Sequence, residues 1–222
     1  GRRVYDNIKK SILFILPTNV AEAGIIIIAI FLGKILPITP VQILWVNMIT
    51  AITLALALAF ERPEGDIMHR PPRKPTEGLF STSLLIRMLL VGGMGALIVF
   101  SLFYYYRTHG ASVEFARTIA VNALVMVEVF YLFSCRYLSQ QVFSRQFFQG
   151  SAPTLYAAVA VVLLQLAFCY TPGIQTLFGL ESIAAADWVV IVLCTAPVIA
   201  VVELEKWLQG RRRSAVVHPL IA

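Results

Sequence analysis

Six apolar runs, each long enough to cross a bilayer, dominate this 222-residue chain. They cover residues 11–36, 42–60, 83–105, 115–134, 153–170 and 185–208. A helix needs about 20 apolar residues to span the hydrocarbon core, so each run suffices for one crossing. Inside lipid every backbone polar group must be satisfied within the protein, which leaves helices and closed barrels as the only spanning structures. None of the runs alternates polar and apolar residues as a barrel strand does. The predicted fold class is all-α, a polytopic membrane bundle of six transmembrane helices. Gly33, Pro37 and Pro40 place a short turn between the first two runs, which predicts a tight helical hairpin.

The charged residues set a direction. Six crossings put both termini on one side of the membrane. Of the 18 Lys and Arg residues, that side then holds all except Lys34, Arg107 and Arg117. Positive charge accumulates on the cytoplasmic side of membrane proteins, so both termini are expected in the cytoplasm, in a cell (plasma) membrane. The net charge of +6 is therefore topological and does not indicate a nucleic-acid partner. The stretch 61–82 is polar and proline-rich and reads as a stiff cytoplasmic connector. Residues 209–222 read as a basic tail. Glu203 and Glu205, beside Lys206 and Trp207, read as an interfacial anchor at a helix end. The three cysteines show no ligand spacing and read as small apolar residues. The first run follows Lys9 and Lys10 but is too long and too polar for a cleavable signal.

Two carboxylates interrupt this apolar pattern. Glu22 lies in the first run and Glu128 in the fourth. An ionisable group near the bilayer centre costs roughly 2.5–3.5 kcal/mol on insertion scales, and it normally faces a bundle interior or a hydrated cavity. Asn19 is three residues before Glu22, on one side of the helix. Pro17 lies just before them, and a proline frees the carbonyl four residues back. Freed carbonyls beside an amide and a carboxylate are expected to form a cluster of oxygen ligands, which hard cations favour. In the second run Asn47 and Thr50 repeat the spacing. Asn122 precedes Glu128 by nearly two turns and joins the set as a minor candidate. Interhelical hydrogen bonding accounts for the amides and the hydroxyl on their own. The carboxylates need more, because no Lys or Arg lies at matching depth. A cation or a proton is the expected partner, with Glu22 and Glu128 as metal ligands. Gly92, Gly93, Gly95 and Ala96 in the third run predict close helix packing.

Four stretches, in order, carry a family likeness: GRRVYDNIKK at the start, NVAE in the first run, PVQILWVNMIT entering the second, and DIMHRPPR in the connector. With them the chain resembles the C-terminal membrane half of a P-type cation-transporting ATPase of the calcium-pump and sodium-pump type. The resemblance implies that residues 1–10 are a junction from a phosphorylation domain and that 11–208 form a six-helix transport domain. It implies that Asn19 and Glu22 of an N-x-x-E motif, with Asn47, Thr50 and Glu128, bind the transported cation. It also implies that Asp66 and Arg70 couple the connector to the phosphorylation domain. At one position the chain departs from the family: the Asp that usually follows that Thr is Ala51 here. Two divalent ions held by two carboxylates would leave uncompensated charge in a low dielectric, so at most one divalent ion, a monovalent ion or a proton is expected.

The phosphorylated DKTG motif and a nucleotide-binding region are absent from these residues. The chain is accordingly expected to act as part of an ion-translocating ATP hydrolase and to be inactive alone. ATP and Mg2+ would act only through the cytoplasmic portion of the same pump, its partner along with the bilayer. The rival readings are an ATP-independent ion or proton transporter or channel, and a membrane scaffold that carries nothing.

Overall fold

The computed structural model describes residues 2–60, 82–137 and 152–217, with side chains as far as residue 209. The connector residues Asp66 and Arg70 lie outside the described residues. Among those described, the structure has helices and no strand, and six helices are long and apolar enough to span a membrane. In order they begin with α1 (Arg2–Phe31) and α2 (Pro40–Thr50), the latter continuing through a π-helical turn (Ala51–Ala55) into α3 (Leu56–Ala59). Then come α4 (Thr82–Thr108), α5 (Val113–Cys135), α6 (Ala152–Tyr170), the short α7 (Pro172–Phe178), α8 (Ala185–Thr195) and α9 (Pro197–Val217).

The helix ends differ from the apolar runs for identifiable reasons. α1 starts at Arg2, so the stretch read as a junction is continuous with the first span. Its polar residues are held by the neighbouring element: Asn7 Nδ2 donates to the Ala59 carbonyl at 2.7 Å and Ser11 Oγ to the Ala55 carbonyl at 3.3 Å. α2 begins on a capping box in which Thr39 and Gln42 satisfy each other's backbone amides, with Pro40 at the first helical position. α8 and α9 divide the last span at Pro197, which cannot donate to a helix bond. α9 also runs on into the stretch read as a tail, as far as Val217.

The bundle is organised around α5, which touches α1, α2, α4, α6, α8 and α9. α1 packs most extensively on α4, through small residues as expected. A Cβ added at Gly92 would lie 2.5 Å from Val20 Cγ1, and one at Gly95 would lie 3.1 Å from Ala21 Cβ. Gly93 points into open space. Without a hydrophobic drive between helices in lipid, such backbone approach is what van der Waals packing requires. α2 is fixed to α6 and α7 by aromatic rings: Trp45 stacks on Phe168 at 4.9 Å and meets Phe178 edge-on at 5.7 Å. Gln42 Nε2 closes the same corner with a 2.8 Å bond to the Phe178 carbonyl.

Candidate functional site

α1, α2 and α5 converge on the two carboxylates. Glu22 faces inward from α1 and is 6% exposed; Glu128 on α5 is 1% exposed. Asn47 Nδ2 of α2 donates to Glu22 Oε2 at 2.6 Å. Thr50, three residues further along α2, lies within hydrogen-bonding reach of the Glu128 carboxyl. Its hydroxyl also donates to the Val46 carbonyl at 3.0 Å. A hydroxyl has a single proton, so it serves one of those acceptors at a time. α2 therefore stands between the carboxylates, with an amide for one and a hydroxyl for the other. The two acidic groups are close enough for their charges to interact.

Each carboxylate keeps one buried oxygen with no hydrogen-bond partner, Oε1 of Glu22 and Oε2 of Glu128. Neither forms an ion pair with a described residue. Leaving a buried acceptor unmade costs about 1–3 kcal/mol, and more for a charged one. Two carboxylates and the Thr50 hydroxyl offer oxygen here, while the Asn47 amide presents its Nδ2 to Glu22 and would have to turn to offer Oδ1. Hard cations are bound by such oxygens. Among the described residues no three of His, Cys, Asp and Glu come together. A cation here would rest on two carboxylates and neutral oxygens.

Three expected ligands are placed elsewhere. Asn19 is on the exposed face of α1. Three residues turn a helix by about 300°, so Asn19 sits about 60° from Glu22, and the edge of the buried stripe falls between them. Asn122 is fully buried, but its Nδ2 donates to the Thr118 carbonyl one turn back on α5 at 2.7 Å and contacts Cys169 Sγ of α6 at 2.9 Å. Six residues place it about 120° around α5 from Glu128. The carbonyl released by Pro17, that of Leu13, accepts from the Tyr131 hydroxyl and is not a free ligand oxygen. Ala51 is exposed and supplies no side-chain oxygen. The sequence reading missed the π-helical turn that begins there. It directly follows Asn47 and Thr50, and such turns recur at functional sites.

The charged end of the last span also differs from expectation. Glu203, Glu205 and Lys206 are buried and form no interfacial anchor. Arg87 of α4 pairs with Glu205. Lys206 Nζ binds Glu203 at 2.9 Å and the Ser134 carbonyl of α5 at 2.6 Å. These contacts tie α4, α5 and α9 together at the end that holds the N-terminus.

Known proteins share this sequence pattern. A family model described as "Cation transporting ATPase, C-terminus" matches residues 35–208. The "Probable cation-transporting ATPase F" of Mycobacterium bovis is 41% identical over 202 residues, covering 90% of this chain and 22% of the relative. The "Calcium-transporting ATPase" of Bacillus subtilis is 36% identical over 196 residues, covering 86% of this chain and 22% of the relative. The "Endoplasmic reticulum calcium ATPase srcA" of Aspergillus fumigatus is 28% identical over 242 residues, covering 95% and 25% respectively. The chain thus spans about a quarter or less of the length of these curated relatives.

Proposed function

Since the chain belongs to the cation-transporting ATPases, as a C-terminal region of one, we propose that it forms the ion-binding membrane part of an ATP-driven cation pump. One observation carries this reading: two buried carboxylates on different helices, Glu22 and Glu128, each with an oxygen that no protein group satisfies. The cargo is a single divalent cation, calcium by likeness to the relatives' names. Two carboxylates neutralise one such ion, and Ala51 adds no third charge. Glu22 and Glu128 are its charged ligands, and Asn47 and Thr50 its neutral ones. Asn19 joins them only when another part of the pump covers the exposed face of α1.

Transport follows from alternating affinity. Phosphorylation elsewhere in the pump, with ATP and Mg2+ bound there, tilts α1 against α2 and α5. The distance between the two carboxylates then differs in two states, and a ligand that binds those states unequally couples their equilibrium to its own movement. The chain alone hydrolyses no ATP. Its termini lie in the cytoplasm of a plasma-membrane protein, where Asp66 and Arg70 of the connector meet the phosphorylation domain. The test is Glu22→Gln in the full-length pump, read as calcium-stimulated phosphoenzyme formed from ATP. The half-saturating calcium concentration is expected to rise at least about tenfold, equivalent to about 1.4 kcal/mol. An unchanged calcium dependence refutes the site.

A further inference from the structure

Pro17 lies inside α1, so the Leu13 carbonyl has no helical N–H to accept from. Tyr131 of α5 donates its hydroxyl to that carbonyl. The tyrosine is fully buried, and its ring is stacked 6.0 Å from that of Phe14 at an interplanar angle of 18°. A buried tyrosine hydroxyl requires a partner. Here it takes an acceptor that α1 cannot satisfy from within. The other side of the proline turn is pressed on α4, where a Cβ at Gly92 would lie 3.1 Å from the Pro17 carbonyl.

The same two helices carry the carboxylates a short distance away. α1 and α5 run in opposite directions in the bundle. Glu22 is five residues beyond Pro17, about 7.5 Å along α1, and Glu128 is three residues before Tyr131, about 4.5 Å along α5. Both steps lead the same way along the interface.

We propose that Tyr131 is a positioning residue for the ion site: its hydroxyl latches the carbonyl freed by Pro17 and so holds Glu22 of α1 opposite Glu128 of α5. The proposal rests on the ion-site reading above. With the latch closed, the second half of α1 leaves the proline turn in one direction and the spacing of the carboxylates is preset. With it removed, the Leu13 carbonyl is a buried acceptor without a donor, and that half of α1 is free to swing about the proline.

The test is a double-mutant cycle in the full-length pump: Tyr131→Phe, Pro17→Ala and both together. Pro17→Ala restores an N–H that reaches the Leu13 carbonyl within the helix, so the tyrosine becomes dispensable. With Pro17 present, Y131F is expected to raise the half-saturating calcium concentration for phosphoenzyme formation about fivefold, with the level at saturating calcium unchanged. In the P17A background, Y131F is expected to change it less than about twofold. Equal effects in both backgrounds, or none in either, overturn the latch. Thermal unfolding without calcium is read on the same four proteins and separates the two ideas. If calcium does not drive phosphorylation of the unsubstituted pump, the ion-site reading fails. The latch then still stands or falls on whether Y131F lowers the unfolding midpoint when Pro17 is present and not in the P17A background. Should Y131F fail to accumulate, accumulation of the double variant supports the latch and its absence overturns it.

Discussion

Glu128→Gln should stabilise the ion-free protein. Glu128 is 1% exposed, one of its oxygens has no donor, and Glu22 is a nearby like charge. A buried charge retains a penalty of several kcal/mol even after relaxation. Glutamine removes that charge but introduces an amide that needs acceptors of its own. The Thr50 hydroxyl supplies only part of what it needs. The net gain is about 1–3 kcal/mol, read as a higher unfolding midpoint. Calcium has the opposite effect on the comparison. At one hundred times its dissociation constant it is expected to stabilise the unsubstituted protein by about 2.7 kcal/mol and the variant hardly at all. The order of stability therefore narrows or inverts as calcium is added. The assay is thermal unfolding of detergent-purified full-length pump at alkaline pH, with chelator and with saturating calcium. A variant that is less stable than the parent with chelator and gains as much from calcium would refute the premise that Glu128 is an uncompensated buried ligand.

Two packing predictions use the same unfolding assay. Gly92→Val adds a rigid side chain 2.5 Å from Val20 Cγ1, so it should destabilise by about 1–3 kcal/mol, while Gly93→Ala, with nothing within 4 Å, should not; equal midpoints would sink the close approach of α1 and α4. Arg87→Met strands Glu205 in a buried setting and should cost about 3–5 kcal/mol, at the lower end because Gln209 also donates to Glu205. Adding Glu205→Leu should recover most of that loss, and a double variant no better than the single one would show that the pair is not the source.

The number and type of the spans were legible in the sequence because lipid permits so few solutions. Runs 42–60 and 153–170 agree with α2–α3 and α6 within a few residues. The polar start of α1 was not legible: Asn7 reads as non-spanning until its acceptor, the carbonyl of Ala59, is seen on another helix. The short α7 was hidden for a related reason, since seven residues carry too little periodicity to register. At the site, Glu22 and Glu128 stood out because a carboxylate in an apolar run is costly wherever it points. Asn19 and Asn122 did not sort themselves, because an amide is tolerated at the exposed edge of α1 and against Cys169 alike. Tyr131 could have been found only by asking which side chain meets the acceptor that Pro17 strands, a question that spacing within one helix cannot answer.

The fourth span shows why polar content was the better guide to position than hydropathy. It has the lowest mean hydropathy of the six, yet 83% of its apolar window is buried inside the protein, against 22% for the most apolar span, which ends the bundle. In water that relation would be reversed, because exposed surface is polar and enclosed surface apolar. In a bilayer the outer surface must satisfy hydrocarbon, so a helix that carries Arg117, Asn122 and Glu128 is stable only where other helices surround it. The price of that placement is a central helix whose polar groups all need partners from its neighbours. Thr118 finds Glu181 and Tyr131 finds Leu13, whereas Asn122 Oδ1, Ser134 Oγ and Glu128 Oε2 stay buried without a partner, and of these only Glu128 can carry a negative charge. A helix placed at the centre by its polarity, with an ionisable acceptor left open there, is what a bundle requires in order to hold a charge it did not encode.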